Sequence, residues 1–192
     1  MQNIKNFTLR EPTRAELLKY DNPNGNVGFL ISEDGRDWRD CRKLFADDTV
    51  KIMYDSCGVI RAVVDKPVPE RGNTYAVSLF FPVNKSVAEI AVADYPAGAK
   101  PDGTWKFDGE KVYQDRAVID SNTLENNTRN RDRYMRIATQ MITAIQCSAV
   151  VGNPRDGDAE NLLALQQYVD ELRDVDVQVE NPMWPSLAYN FS

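Results

Sequence analysis

The chain has 192 residues, of which 42% are apolar and 27% are charged, and its formal net charge is −6. These values are typical of a soluble globular protein with one large domain or two small ones, and the negative charge argues against general binding to nucleic acid or anionic membranes. Histidine is absent, which removes the commonest general base and the usual transition-metal ligand from any candidate site.

The cysteines and the apolar runs predict the compartment. Cys41, Cys57 and Cys147 are odd in number and widely spaced, and the amino terminus MQNIKNF has no apolar signal segment. No run approaches the roughly 18–20 apolar residues that a membrane span needs. We therefore predict a reducing cytosol, with the thiols acting as small buried side chains.

The first elements along the chain are short. Thr13–Tyr20 predicts a helix, because Thr13 and Glu16 have the spacing of a capping box. The run Asn22–Asn26 has turn chemistry, and Val27–Ser32 predicts a strand.

A turn and a helical face follow. Asp34-Gly35 predicts a turn with a positive φ at the glycine. The spacing of Trp38, Cys41 and Leu44-Phe45 then predicts a short helical face, and a strand is the alternative.

The clearest β-pattern in the chain is a hairpin. Val50, Ile52 and Tyr54 alternate with less apolar neighbours, Asp55–Gly58 predicts the turn, and Val59–Val64 predicts the returning strand. The alternation predicts that one face of this hairpin lies on a core.

The segment after this hairpin is less regular. Pro67–Asn73 predicts a turn or linker, and Tyr75–Val83 predicts a strand that Pro82 closes. Ser86–Val92 fits a strand or a helix equally well, and Tyr95–Gly103 predicts a loop.

A second hairpin is predicted at WKFDGEKV, residues 105–112. Trp105 and Phe107 alternate with Lys106, Asp108-Gly109 supplies the turn, and Val112-Tyr113 return. Aromatic and β-branched pairs across such a turn stabilise two-stranded ribbons.

From Ser121 the apolar period changes from 2 to 3.6. A helix beginning at Ser121 or Thr123 and stopped by Gly152 is predicted from the stripe Tyr134, Ala138, Met141-Ile142, Ile145 and Ala149. A second helix has Asp158 as its predicted N-cap and the stripe Leu162, Leu165, Val169, Leu172 and Asp176.

An extended tail follows the second helix. Trp184 follows Pro182-Met183 and precedes Pro185, and prolines on both sides prevent a helix from continuing. Trp184 either packs back on the helical hairpin or contacts a partner, because aromatic residues serve both roles.

Together these elements predict an α+β fold. We expect a β-rich amino-terminal domain at residues 1–92, a loop and hairpin at 93–120, and a helical hairpin with an extended tail at 121–192.

The basic run Arg129, Arg131, Arg133 and Arg136 has three interpretations. It fits a solvated helix surface with ion pairs to Glu125 or Asp132, a protein interface, or a nucleic-acid patch. The solvated surface is the commonest of these in proteins.

Sites for chemistry are not indicated. The acidic pairs Asp47-Asp48 and Asp156/Asp158 lack calcium-loop spacing, and no phosphate-binding glycine motif occurs. We predict no catalytic residues, no metal and no cofactor.

Several motifs in order resemble the tail fibre assembly proteins of tailed bacteriophages and prophages. The opening MQNIKNF and the blocks beginning at Trp38 and Asp48 are similar to that family's amino-terminal half, and WKFDGEKV to its central segment. The carboxy-terminal signature of the family is matched by residues of this chain: Leu162-Leu163, Tyr168, Leu172, Val175-Asp176 and Trp184-Pro185.

The resemblance implies a chaperone that binds the distal end of a trimeric tail fibre and promotes its folding, without catalysis. It implies the cytoplasm of the host bacterium and, for some members, the fibre tip of the virion, with no nucleic acid and no membrane partner. Self-association stays open. The contact candidates are Trp184, Pro185, Tyr168, Trp105, Phe107, Arg129 and Arg133.

Two other functions stay open on sequence alone. A carbohydrate-active enzyme would need two carboxylates, which any acidic protein offers in many combinations. A nucleic-acid-binding regulator would use the arginine-bearing helix.

Overall fold

The computed structural model describes residues 1–20, 28–65 and 74–187. The predicted turns at Asn22–Asn26 and Pro67–Asn73, and Val27 at the start of the predicted strand, lie outside these ranges. The chain divides into two compact units, Met1–Asp115 and Arg116–Ser192.

The first unit is built on an antiparallel sheet of five strands in the order β2-β1-β5-β3-β4. The strands are β1 (Asn3–Arg10), β2 (Phe29–Ile31), β3 (Thr49–Tyr54), β4 (Ile60–Val64) and β5 (Lys85–Ala91). With the helices of the second unit this gives the predicted α+β fold.

Both predicted hairpins are present. Strands β3 and β4 pair antiparallel, and so do β6 (Trp105–Phe107) and β7 (Val112–Gln114). The two hairpins meet where Phe107 N–H donates to Gly58 O at 2.8 Å. Gly58 has a φ of 79°, and a Cβ there would lie 2.6 Å from Phe107 O, so this approach requires glycine.

The sheet is covered on both faces, so the prediction of a single core face for β3 was incomplete. Alternate residues of β5 join two clusters, Val87 in one with Phe7 and Trp38, and Ala88 in the other with Ile52. The pattern missed the second face because Lys51 and Met53 stand there, and Lys51 is only 1% exposed.

Lys51 is buried with one strong hydrogen bond. Its Nζ donates to Thr49 O at 2.7 Å. Burial lowers the pKa of this amine, while nearby carboxylates, among them Asp47 and Glu89, act in the opposite direction.

One predicted strand was wrong and one ambiguity is resolved. Within Tyr75–Val83 the chain forms a 3₁₀ turn at Ala76–Leu79, with Val77 and Phe80 buried three residues apart while Phe81 stays exposed. An uninterrupted apolar run has no period to distinguish these structures. The next segment is strand β5, the centre of the sheet.

Each short α-helix of the first unit begins directly after a residue whose side chain caps it. Helix α1 (Arg14–Lys19) has the complete capping box of Thr13 and Glu16, as predicted. Gly35 has the expected positive φ of 83°. Asp37 caps α2 (Trp38–Cys41), which buries Trp38 and Cys41.

The Glu16 carboxylate yields a prediction on pH. Its pKa is lowered to about 2 from an ordinary 4.5, first by hydrogen bonds from the Arg10 guanidinium and then by the Thr13 N–H. The contact between α1 and β1 therefore has its full strength above pH 4.5 and is lost as the pH falls through about 2. A carbon-13 NMR titration of the Glu16 carboxyl should show this low midpoint, and Arg10→Gln should raise it. A midpoint unchanged by Arg10→Gln would contradict the assignment.

The thiols are not all buried. Cys41 is buried, and burial raises its pKa, but Cys57 and Cys147 are exposed. Cys57 lies in the β3–β4 turn and Cys147 on the outer side of a helix, so the prediction of buried thiols was wrong for these two.

The second unit contains α3 (Arg116–Val150) and α4 (Asp158–Arg173). The predicted start of α3 at Ser121 or Thr123 was late, because the apolar residues of its first turn, 117–119, are consecutive and show no helical period. Arg116 and Asp120 in these turns form an exposed ion pair at 3.4 Å. No helix in the described ranges is long and apolar enough to span a membrane.

The bounds of α4 correct two further details. Gly157, at φ 84°, takes the N-cap position, and the Asp158 carboxylate instead accepts from Arg155 N–H at 2.8 Å. The helix ends at Arg173, so Asp176 lies beyond it and accepts from Gln178 N–H at 2.9 Å.

Candidate functional site

The helical hairpin is held by one apolar cluster. Ala138 and Ile145 of α3 and Leu165 of α4 form its buried centre, with Leu162, Tyr168 and other half-buried side chains around it. Ala149, predicted on the stripe, is exposed in the last turn of α3. The two stripes thus bury each other, as predicted.

The segment 174–187 returns to the hairpin, and we call it the strap. It is fastened by Asn127 of α3, whose Nδ2 donates to Val177 O at 3.1 Å and to Val179 O at 2.8 Å. Asn127 is only 8% exposed. Both N–H groups of the amide can therefore be satisfied by carbonyls that have no helical partner.

Sequence reasoning missed Asn127. The available signal was its position seven residues before Tyr134, on the same face of α3. A polar side chain within an apolar helical stripe is commonly there to satisfy buried backbone groups.

Trp184 packs on its own hairpin. Its ring meets Tyr134 of α3 edge to face, with centroids 5.4 Å apart and planes at 74°. Trp184 and Pro185 are half-buried, whereas Met183, directly before Trp184, is 93% exposed. The strap thus combines a packed aromatic ring with an accessible apolar neighbour.

Tyr168 lies beside this contact. It is half-buried in the hairpin cluster, and its pKa is raised by burial first and by the neighbouring Tyr134 second. The candidates Tyr168 and Trp184 therefore both neighbour Tyr134, and Pro185 follows Trp184 in the same strap.

The aromatic face of the β6–β7 hairpin points inward. Phe107 is 6% exposed and packs on Tyr54 with centroids 5.2 Å apart, so it supports the hairpin and is not accessible to a partner. Trp105 is half-buried. The outward face instead carries Tyr113 and Lys106, and Lys106 forms a 2.7 Å ion pair with Asp115.

The arginine run lies on the surface of α3 with the predicted ion pairs. Arg129 pairs with Glu125 at 2.5 Å and Arg131 with Asp132 at 3.2 Å. Because α3 begins at Arg116, these arginines lie more than three turns inside the helix and do not oppose its dipole.

The first unit carries grooves beside its β6–β7 hairpin. One, of about 360 Å³, is lined by Asn3, Glu89, Phe107 and Lys111 among others. Within the described residues no group of three or more cysteine, aspartate or glutamate side chains is placed to hold a metal ion.

Comparison with known proteins gives the family. A family model described as Caudovirales tail fibre assembly protein, lambda gpK, matches residues 40–188. The chain belongs to this family. The match to the tail fibre assembly family runs from α2 through the helical hairpin and the strap.

Individual relatives extend the similarity. The probable tail fiber assembly protein of Escherichia phage P2 is 25% identical over 97% of this chain and 99% of its own length. The tail fiber assembly protein U of Escherichia phage Mu is 25% identical over 96% of this chain and 98% of its own. A second Mu protein, tail fiber assembly protein U', is 31% identical over 56% of this chain.

Proposed function

We propose that this protein is an assembly chaperone that binds the distal end of a trimeric phage tail fibre and promotes its folding and trimerisation. It acts by binding, without a catalytic step, in the cytoplasm of the host bacterium. The observation that carries the proposal is the similarity to two tail fibre assembly proteins along almost their entire length.

The physical need for such a protein is clear. Intertwined β-trimers fold through pairings that are distant in sequence, and they expose apolar surface and unpaired strand edges before assembly. A partner that covers these surfaces lowers the probability of misassociation.

The second unit offers the most suitable contact surface. The strap places Trp184 against Tyr134, which also neighbours Tyr168, and Pro185 follows Trp184 in the strap. Met183 of the strap is almost fully exposed. Aromatic and methionine side chains are enriched at protein interfaces, and prolines limit the entropy lost on binding. Arg129 and Arg133 of α3 and Trp105 of β6 remain further contact candidates.

Co-expression tests the proposal. The fibre gene expressed with this chain should yield soluble trimers that co-purify with it, whereas the fibre expressed with a stop-codon version of this gene should give aggregated chains. Trimer yield is measured by gel electrophoresis without heating and by light scattering. Equal yields of soluble trimer in both cultures, or a failure to co-purify, would overturn the proposal.

A pair of variants locates the contact. Met183→Glu places a charge on the strap at a side chain that is 93% exposed, and Leu9→Glu makes a similar change on β1, where the side chain is 61% exposed. We expect Met183→Glu to reduce co-purification with the fibre and Leu9→Glu to leave it unchanged. The opposite ranking would move the contact to the first unit.

The two alternative functions gain no support. The family description and the relatives named above refer to fibre assembly and to neither carbohydrate chemistry nor nucleic-acid binding. The arginines, moreover, lie in a unit whose carboxylates outnumber them, which is unfavourable for binding phosphate backbones.

A further inference from the structure

Charge is segregated within the second unit. Helix α3 carries five arginines and three carboxylates, whereas residues 151–192 carry two arginines and eight carboxylates. Every cation of this unit is an arginine, the side chain best suited to bidentate contacts with carboxylates.

The excess positive charge forms a stripe on the outer face of α3. Its members are spaced four and three residues apart, so they share the face opposite the buried Ala138, and we call them the arginine stripe: Arg129, Arg133 and Arg136. All are exposed. Among the described residues neither Arg133 nor Arg136 has an ion-pair partner, and Arg129 has only Glu125 of its own helix.

The excess negative charge forms a matching stripe at the end of α4. Opposite the buried Leu165 and Leu172 lies an exposed group that we call the acidic stripe: Asp170, Glu171 and Asp174. Its one ion pair within the described residues joins Asp170 to Arg173, at 2.8 Å and with both side chains well exposed.

Each stripe has an exposed apolar residue on or beside the same face. Ile137, 43% exposed, adjoins the arginine stripe, and Leu163, 57% exposed, lies on the outer face of α4. Exposed ion pairs alone contribute little to association, so apolar area next to them is needed for a measurable contact.

We propose that the arginine stripe docks on the acidic stripe of a second copy of this chain. A second copy fits each stripe because every copy presents both complementary surfaces on the same hairpin. Since the stripes lie on the two outer faces, the contact is heterologous and joins copies head to tail. This inference does not depend on the proposed fibre-binding function.

Salt dependence gives the first test. In sedimentation equilibrium of the purified full chain, the average mass should exceed that of one chain and rise with concentration at about 0.01 M salt, where the screening length is about 30 Å. It should return to that of one chain at about 1 M salt, where the screening length is about 3 Å. A single-chain mass at low salt across the concentration series would overturn the proposal.

Charge exchange gives the decisive test. The triple variant Arg129→Glu, Arg133→Glu and Arg136→Glu should stay single-chain at low salt, and so should a second variant: Asp170→Arg, Glu171→Arg and Asp174→Arg. Mixing the two should restore association, because each then offers what the other lacks. A mixture that stays single-chain would overturn the proposal.

Two controls separate local charge from general effects. Exposed lysines of the first unit provide a variant with the same total charge change, and it should associate like the wild type: Lys43→Glu, Lys100→Glu and Lys111→Glu. Association lost equally in this variant would overturn the proposal. If the arginine-to-glutamate variant loses helicity by circular dichroism, the arginine-to-glutamine version replaces it and should also be single-chain.

Discussion

Leu165→Ala should lower the free energy of unfolding of the carboxy-terminal unit by about 3 kcal/mol, as expected for a fully buried leucine whose loss leaves a cavity. Leu165 is 0% exposed and joins Ala138 and Ile145 across the helical hairpin. Urea unfolding followed by helical circular dichroism measures the change.

Leu163→Ala is the matched control for this loss. It removes the same atoms from the same helix, but Leu163 is 57% exposed on the outer face. We expect a change within about 0.5 kcal/mol, as for other surface substitutions. Similar losses in the two variants would show that the Leu165 cluster does not hold the hairpin together.

Glu89→Leu should destabilise the first unit by about 3 kcal/mol, because it removes a carboxylate that satisfies several donors at once. Glu89 accepts from Gln2 N–H at 2.7 Å, Ala46 N–H at 2.8 Å and the Thr49 hydroxyl at 3.3 Å. It also stands opposite the buried Lys51 in the β3–β5 pair. The substitution therefore leaves donors without acceptors and removes one of the negative charges near the buried Lys51 amine.

Denaturant unfolding followed by near-ultraviolet circular dichroism measures this loss. Glu110→Leu, at an exposed residue of the same unit, should change stability by about 0.5 kcal/mol or less. Glu89→Gln should fall between the two, because its amide keeps one acceptor but turns an NH₂ group toward a donor. Equal stabilities for Glu89→Leu and Glu110→Leu would contradict the bonding described for Glu89.

The contact candidates show how far a surface can be chosen from sequence. Tyr168 and Trp184 both neighbour Tyr134 in the second unit, because the tail returns to the helical hairpin. Phe107 is buried because the inward face of its hairpin completes a core formed by a sheet that precedes it in the chain. Alternation distinguishes the two faces of a ribbon but does not identify which one is covered.

The sequence by itself determined the local elements and the family. The capping box at Thr13, the hairpin at Trp105–Val112 and the paired helical stripes all depend on interactions within a few residues, which spacing records directly. Only the tertiary structure decided what joins distant segments. Asn127 reaches carbonyls some 50 residues away, and Glu89 binds the backbone of Gln2, 87 residues away. Neither role leaves a period in the sequence, because a hydrogen bond between distant segments constrains two positions and not the spacing between them.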